Sequence, residues 1–137
     1  MSEPVTYAES LDGVVAADLE GFLLHWDFVP PAGTLLRMLE GSSIVVLARD
    51  TESSRVCGYV AALTDHVVCG FVSAIEVRPE FRRRGIGTEL LRRATERLDV
   101  YGIYLTCAPA MVPYYEGAGF ARVAAMSKRR WPVTDRG

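Results

Sequence analysis

The sequence has little of the chemistry from which metal sites and disulfide frameworks are built. Its 137 residues include 2 histidines and 3 cysteines. Cys57, Cys69 and Cys107 are odd in number, and no pair of them has the spacing of metal ligands. We therefore expect each cysteine to be a small buried hydrophobic residue, and we predict no metal site.

Long apolar runs and an excess of positive charge are also missing. No apolar stretch approaches the roughly 20 residues that cross a bilayer. The first residues, MSEPVTYAESLDG, lack the basic and apolar regions of a signal peptide. The formal net charge is −2, whereas a dedicated nucleic-acid binder is usually strongly basic. We therefore expect a cytoplasmic protein with no membrane partner and no nucleic-acid partner.

The sequence contains no internal repeat, no low-complexity tract and no long linker. Half of its residues, 50%, are hydrophobic and 23% are charged, which is an ordinary balance for a globular protein. A chain of this length can bury a sizeable core without disulfides or metals. We therefore expect a single domain over residues 1–137.

Hydrophobic periodicity gives a mainly helical start to the chain. Residues 4–8 have the pattern of a short strand, and residues 11–26 place their apolar side chains at helical spacing. Pro30 and Pro31 cannot continue a helix, so they separate this segment from a second, shorter helix predicted over 34–41.

The rest of the chain alternates between strand and helix patterns. Strands are predicted over 43–50, 55–63 and 67–77 as an antiparallel meander, with Gly70 as a candidate bulge. An amphipathic helix from Ile86 to Leu98, a strand over 103–107, a short helix in VPYYEGAG and a final strand in FARVAAMSK follow. A strand, a long helix and another strand usually form a parallel crossover. We therefore predict an α/β (α+β) fold whose mixed central sheet is first antiparallel and then parallel at a β–α–β step.

Three arginines, Arg82 to Arg84, run directly into Gly85 and Gly87 at the start of the predicted helix. The first amides of a helix have no partner within it, and the helix dipole adds about half a positive charge at that end. Glycine lets a ligand approach the backbone closely. The junction therefore favours a phosphate or pyrophosphate site, and a tight turn with a solvated arginine face is the plain alternative.

Two familiar phosphate-binding motifs are excluded by spacing. A dinucleotide-binding fingerprint needs a third small residue three positions after Gly87, and Leu90 stands there. A P-loop needs a Gly-Lys-Ser/Thr tripeptide, and none follows the glycines.

The longer segment VRPEFRRRGIGTELL, residues 77–91, narrows the prediction. It resembles the acetyl-CoA-binding motif of the GNAT N-acetyltransferase superfamily. That motif is a strand ending in V-x-P, then Arg or Gln, two residues, Gly, one residue, and Gly or Ala at a helix start. Arg82 fits the Arg/Gln position, and Gly85 and Gly87 fit the glycines. The resemblance implies the GNAT fold, with acetyl-CoA as the cosubstrate.

The same resemblance implies where the cofactor binds. The parallel strands 67–77 and 103–107 would splay apart, and the main chain from Ile75 to Val77 would pair with the pantetheine arm in the gap. The amides of Arg83 to Thr88 would hold the pyrophosphate, and arginine side chains could reach the outer phosphates. The implied cofactor-binding residues are Ile75, Glu76, Val77, Arg82, Arg83, Arg84, Gly85, Ile86, Gly87 and Thr88.

A second segment, VPYYEGAGF at residues 112–120, resembles the family's FYEKLGF ending. The resemblance implies that Tyr115 faces the thioester sulfur as the catalytic residue, while Tyr114 is a packing residue. A phenol has a pKa of about 10 and an alkyl thiol about 8.5, so full proton transfer to a leaving thiolate is uphill. We therefore expect Tyr115 to act mainly as a hydrogen-bond donor, and the main-chain N–H of Val77 to hold the oxyanion.

The sequence leaves the general base open. Ser73 is the only polar residue in the stretch 71–74, where some relatives carry a glutamate or histidine. Glu76 is the nearest carboxylate, although strand alternation could aim it away from the acceptor. A water chain to bulk solvent is an equal alternative.

The acceptor site is implied to lie beside the stretch HWDFVPPAGT, where the chain resembles the family least. Trp26 and Phe28 would form an apolar or stacking wall, Asp27 would bind an ammonium group, and Ser73 would add a polar contact. The alternative is that the two aromatic residues close the core and Asp27 caps a helix.

These features predict an enzyme that transfers an acetyl group from acetyl-CoA to a primary amine of a small molecule or peptide. Attack would be direct, because no cysteine is placed for a covalent acetyl intermediate. A non-catalytic acyl-CoA sensor is the alternative, favoured by APAM where many relatives have an asparagine. Nucleic-acid binding through the arginines is a third reading, which the acidity elsewhere opposes. Many relatives dimerise through their C-terminal strands, so a homodimer is open.

Overall fold

The computed structural model describes residues 3–23, 30–31 and 33–129. The strands are β1 (Val5–Ala8), β2 (Ile44–Asp50), β3 (Val56–Thr64), β4 (Cys69–Val77) and β5 (Gly102–Tyr104). The helices are α1 (Thr34–Glu40), α2 (Ile86–Arg97) and α3 (Val112–Gly117), and short 3-10 turns span Ala16–Leu19, Pro79–Phe81 and Pro109–Met111.

The five strands form one sheet in the order β1-β2-β3-β4-β5. Strands β1 to β4 are antiparallel to their neighbours, and β5 lies parallel to β4 after the α2 crossover. The turn between β3 and β4 is closed by the Asp65 carboxylate, which accepts the amides of Val67, Val68 and Cys69 at 2.8 to 3.1 Å. The predicted mixed sheet is therefore confirmed.

Strands β4 and β5 splay apart soon after they meet. Their pairing covers only Cys69 to Phe71 of β4 and Gly102 to Tyr104 of β5. Beyond that point β4 continues to Val77, and among the described residues β3 is the one strand that pairs with it. This divergence opens the gap that the resemblance implied for the cofactor.

The bulge in β4 lies at Ser73, so its prediction at Gly70 is wrong. Ala61 pairs with Ala74 and Ala62 pairs with Val72, which leaves Ser73 as the extra residue. Gly70 instead meets a close neighbour, because an added Cβ would lie 2.8 Å from Cδ2 of Leu98.

Two hydrophobic clusters cover the two faces of the sheet. The α2 face is filled by the helix's apolar stripe together with inward residues of β2 and β3, including Val46, Val60, Ile86, Leu90, Leu91 and Ala94. The α1 face contains Leu19, Leu35, Leu39, Leu47, Val56 and Tyr59. The period-3.6 stripe predicted for α2 is thus the stripe that it buries.

The predicted helix over 11–26 is wrong within the described residues, which end at Leu23 before the gap. Only the 3-10 turn Ala16–Leu19 forms there. Gly13 and Gly21 adopt φ of +76° and +91°, and Leu23 adopts +68°. An α-helix requires negative φ at every residue, so these positions break it.

Three other expectations also fail. The strand expected over 103–107 ends at Tyr104, and the final strand expected in FARVAAMSK does not form, since residues 121–129 are exposed and carry no regular structure. Cys57 is buried as expected, but Cys69 and Cys107 are exposed. The C-terminal segment has no neighbouring strand within the described residues, and a strand requires one.

Candidate active site

The loop between β4 and α2 has the backbone of an anion site. After the turn Pro79–Phe81, anchored by the buried Phe81 ring, Arg83 adopts φ of +65° and Gly85 adopts +79°. Successive N–H groups in a turn that contains left-handed residues can point to one side and form a concave nest for an anion. Gly85 then caps the start of α2.

The amides of this loop are available to a ligand. The structure gives the N–H groups from Arg83 to Thr88 no acceptor among the described residues. The side chains of Arg82, Arg83 and Arg84 are exposed around them. Nε of Arg82 donates to the Val77 carbonyl at 3.1 Å, which ties this guanidinium to the end of β4.

A cavity of about 360 Å³ lies at the splay. It joins Ser73, Ile75, Glu76 and Arg82 on the β4 side to Tyr115 on the α3 side. Its remaining lining is Tyr59, Val72, Ala74, Leu105, Thr106, Cys107, Ala108 and Met111. The exposed Cys107 thus lies at the cavity, contrary to the expectation that no cysteine would be placed there. Two segments that the sequence singled out separately, the end of β4 and the tyrosine helix, thus meet at one cavity.

The main chain of β4 presents polar groups to this cavity. The Arg78 amide donates to the Cys57 carbonyl at 2.8 Å, so it points toward β3. Amides alternate in direction along a strand, so those of Val77 and Ile75 point to the opposite, unpaired edge. That edge is the one that the splay exposes.

Tyr115 supplies a free donor to the cavity. Its ring packs edge-on against Tyr114 and Phe120, with centroids 5.1 and 5.9 Å away. Burial raises the pKa of its phenol, and the neighbouring Tyr114 and Cys107 raise it further. The structure gives this hydroxyl no hydrogen-bond partner among the described residues, and its raised pKa keeps it protonated at neutral pH, so it can donate a hydrogen bond.

Tyr114 has a role beyond the packing expected from the sequence. Its hydroxyl is 2.9 Å from the Thr88 hydroxyl, so the first turn of α2 is linked directly to α3. The bond joins the helix that begins at the anion loop to the helix that carries Tyr115.

Glu76 points to the α1 face of the sheet. Its carboxylate accepts the Leu23 amide at 3.1 and 3.2 Å and the Tyr59 hydroxyl at 3.2 Å. Burial, together with the adjacent Glu76 charge, raises the pKa of Tyr59 strongly, so its hydroxyl stays a donor. Ser73 donates from its hydroxyl to the Ala61 carbonyl at 3.3 Å.

Arg78 is a residue that sequence reasoning missed. No role in the site was predicted for it, yet it is 5% exposed. Its guanidinium donates to the carbonyls of Val56 and Glu20 at 2.6 Å and of Asp18 at 3.1 Å. An arginine directly after a strand is usually exposed, so the sequence carried no signal of this burial.

The three residues predicted to wall the acceptor site, Trp26, Asp27 and Phe28, lie outside the described residues.

A second, larger groove of about 970 Å³ runs between α2, α3 and residues 119–125. Within the described part of the chain, no three His, Cys, Asp or Glu residues are grouped to hold a metal ion. No helix of that part is long and apolar enough to cross a membrane.

The chain matches the model of the acetyltransferase (GNAT) family over residues 14–120. It therefore belongs to this family, and it is an N-acetyltransferase that moves an acetyl group from acetyl-CoA to an amine.

Individual relatives support the assignment at different levels. A crystal structure of a proposed acetyltransferase from Deinococcus radiodurans R1 is 37% identical, with a TM-score of 0.86 over 93% of this chain and 89% of that one. Glucosamine 6-phosphate N-acetyltransferase of Schizosaccharomyces pombe is 24% identical over 94 residues, or 62% of this chain and 85% of its own length. The glucosamine-6-phosphate N-acetyltransferase of Arabidopsis thaliana shares the fold at 15% identity, with a TM-score of 0.69 over 95% and 100% of the two chains.

Proposed function

We propose that this enzyme acetylates the primary amine of a small molecule or peptide by direct attack on acetyl-CoA, through a tetrahedral intermediate. The observation that carries the proposal is the splay cavity, where the free hydroxyl of Tyr115 and the unpaired edge of β4 meet beside the anion loop. A thioester placed there would have a donor for its sulfur on one side and strand amides on the other.

In this proposal the chain binds the cofactor mainly through its backbone. The amides of Arg83 to Thr88 hold the pyrophosphate, because they are unpaired and converge at a helix N-terminus. The main chain of Ile75 to Val77 pairs with the pantetheine arm as an added strand would. The side chains of Arg82, Arg83 and Arg84 supply positive potential for the outer phosphates.

The chemistry then needs a donor at each developing charge. The Val77 amide, which points into the splay, stabilises the oxyanion of the tetrahedral adduct. The Tyr115 hydroxyl stabilises the sulfur as it leaves as a thiolate. Its raised pKa makes full proton transfer less favourable, which agrees with a hydrogen-bonding role.

The acceptor belongs to the class of small amines in this proposal. The relatives from Schizosaccharomyces pombe and Arabidopsis thaliana carry the name of an amino-sugar phosphate acetyltransferase, so glucosamine 6-phosphate is the first acceptor to test. Trp26, Asp27 and Phe28 are proposed as part of the acceptor wall, with Ser73 as a polar contact at the cavity. One acetyltransferase domain over 1–137 and a cytoplasmic location complete the proposal.

Turnover and cofactor binding test the proposal together. Purified protein is mixed with acetyl-CoA and a panel of amines that includes glucosamine 6-phosphate, and the release of free CoA thiol is followed. We expect turnover with at least one amine. Acetyl-CoA binding by calorimetry without thiol release under any acceptor would instead support the acyl-CoA sensor.

Replacing Gly87 tests the loop itself. A Cβ at this position meets only Val77 Cγ2, at 3.7 Å, so the fold has room for the Cβ of Gly87→Val, and the larger side chain stands among the amides proposed to hold the pyrophosphate. We expect acetyl-CoA affinity to fall at least tenfold with no loss of thermal stability. Gly41→Val, at the end of α1, is the matched control, and equal binding by the Gly87 variant would refute the site.

A further inference from the structure

The end of β4 sends two charged side chains to the same face of the sheet. Glu76 and Arg78 alternate with Val77, and both reach the backbone of residues 18–23 rather than a side chain of opposite charge. Arg78 forms no ion pair with a carboxylate among the described residues. The buried guanidinium of Arg78 and the half-buried carboxylate of Glu76 therefore both hold the segment 18–23 in place.

Glu76 fixes the last described residue of that segment. Leu23 is 2% exposed and adopts φ of +68°, a conformation that a bulky L-residue rarely takes. Both carboxylate oxygens of Glu76 accept its amide, and Oε2 also accepts the Tyr59 hydroxyl. Burial of the Leu23 side chain and the hydrogen bonds from its amide to Glu76 together stabilise this strained conformation.

Arg78 fixes the residues just before it. Its guanidinium donates hydrogen bonds to the carbonyls of Asp18 and Glu20 and lies 4.2 Å from the centre of the Phe22 ring. The fit is close, because a Cβ at Gly21 would lie 2.8 Å from Nη1 of Arg78. Segment 18–23 is therefore held at three points along its length.

The position of this segment relates it to the acceptor. Tyr115 belongs to the cluster on the α2 face, and Tyr59 belongs to the cluster on the α1 face, yet both line the splay cavity. The anion loop opens α2, so the cofactor approaches from the α2 face. The amine that attacks the thioester then approaches from the α1 face of the sheet, which is the face where Glu76, Tyr59 and segment 18–23 lie.

We propose, resting on the proposed function, that Glu76 and Arg78 are positioning residues for the amine acceptor. They hold segment 18–23 against β4, next to the cavity that Glu76 and Tyr59 line. Glu76 acts by accepting the Leu23 amide and the Tyr59 hydroxyl, which keeps both in place, and not as the general base.

Two substitutions of Glu76 separate positioning from proton transfer. Glu76→Gln keeps an oxygen that accepts the Leu23 amide, whereas Glu76→Ala removes it. With the best acceptor from the amine panel, we expect Glu76→Ala to raise KM for the amine at least tenfold and to leave the acetyl-CoA Kd within twofold. We expect Glu76→Gln to raise KM for the amine about threefold, well below the rise in Glu76→Ala, because its amide oxygen still accepts the Leu23 N–H.

Hydrogen exchange gives a readout that does not depend on turnover. The Leu23 amide should exchange faster in Glu76→Ala and at the native rate in Glu76→Gln. Glu96→Ala, which removes an exposed partner of Arg92 on α2, is the control for loss of a carboxylate. If Glu76→Ala does not fold, Tyr59→Phe removes one bond to the carboxylate and is expected to raise KM for the amine about threefold.

The outcomes that overturn the inference differ from those that overturn the function. A large loss of kcat in Glu76→Gln, with loss of the acidic limb of the pH profile, would make Glu76 the general base. An unchanged amine KM in Glu76→Ala would make the contacts merely structural. Absence of turnover by the native protein with every amine would overturn the proposed function and this inference with it.

Discussion

At the scale of single residues, the hydroxyl of Tyr115 is the atom on which the proposed chemistry depends most directly. Tyr115→Phe removes the donor while the ring keeps its contacts with Tyr114 and Phe120. Because the hydrogen bond strengthens as the sulfur gains charge, we expect kcat to fall at least tenfold and acetyl-CoA affinity to stay nearly unchanged. Steady-state thiol release and calorimetry measure the two quantities.

A control for that variant lies next to it in the chain. Tyr114→Phe removes the hydroxyl that bonds to Thr88 and leaves the catalytic phenol in place. We expect a smaller effect on kcat than from Tyr115→Phe. A native kcat in Tyr115→Phe would remove this residue from the mechanism.

Residues that belong to a linear motif could be singled out from the sequence. Residues whose role depends on the face of the sheet to which they point could not. The spacing of a linear segment was enough to predict roles for Tyr115 and Gly85, and these roles stay predictions. The direction of Glu76 depends on the bulge at Ser73, since one extra residue reverses which face every later side chain of β4 meets. Nothing in the letters around Ser73 marks the bulge, so Glu76 and Arg78 could not be assigned to the α1 face.

At the scale of elements, helix α2 connects the anion loop to the core. Leu90 is fully buried between the helix and the sheet, so Leu90→Ala leaves a cavity among the residues of the α2 face. Leucine-to-alanine changes in cores cost about 2–5 kcal/mol. We expect a loss of that size in the free energy of unfolding, measured by urea denaturation.

An exposed leucine provides the comparison for that measurement. Leu63, near the end of β3, is 46% exposed, so Leu63→Ala should cost well under the loss seen at Leu90. Equal destabilisation by the two variants would show that α2 is not held by the contacts described for it.

Helix α2 and the antiparallel strands were predicted almost to the residue, because their periodicity is long and glycine, proline or Asp65 marks their ends. The segment 11–26 had equally good helical periodicity, and its described residues, 11–23, still did not form an α-helix. Gly13 and Gly21 adopt positive φ. Leu23 adopts a left-handed conformation that costs about 1–2 kcal/mol, and the carboxylate of Glu76, 53 residues away in the sequence, stabilises it by accepting the Leu23 amide. Such a tertiary contact cannot be inferred from local spacing.

At the scale of the whole molecule, the C-terminal segment is the feature that a single chain leaves unexplained. Residues 121–129 are exposed, with Val123 at 65% and Met126 fully so. Among the described residues β5 is an edge strand, and its last residue, Tyr104, is exposed. We propose that these segments are covered in a homodimer, each by the second copy, since an unpaired apolar edge tends to pair.

Light scattering tests the dimer directly. We expect the native protein in solution to have twice the 15.1 kDa mass of one chain. The double variant Val123→Glu, Met126→Glu should be monomeric. Val67→Glu alters a similarly exposed residue, 70% accessible, at the β3–β4 turn and should leave the mass unchanged. A monomeric native protein at every concentration would contradict the proposal, as would a double variant that remains dimeric.

The order of the strands in the sheet equals their order in the chain, which bears on how the protein is made. Each strand lies against one that has already left the ribosome, so pairing can follow synthesis without waiting for distant sequence. Only β5 requires the intervening crossover helix, and α3 comes after it. The cavity lined by β4 and Tyr115 is therefore completed only after both β5 and α3 have been synthesised.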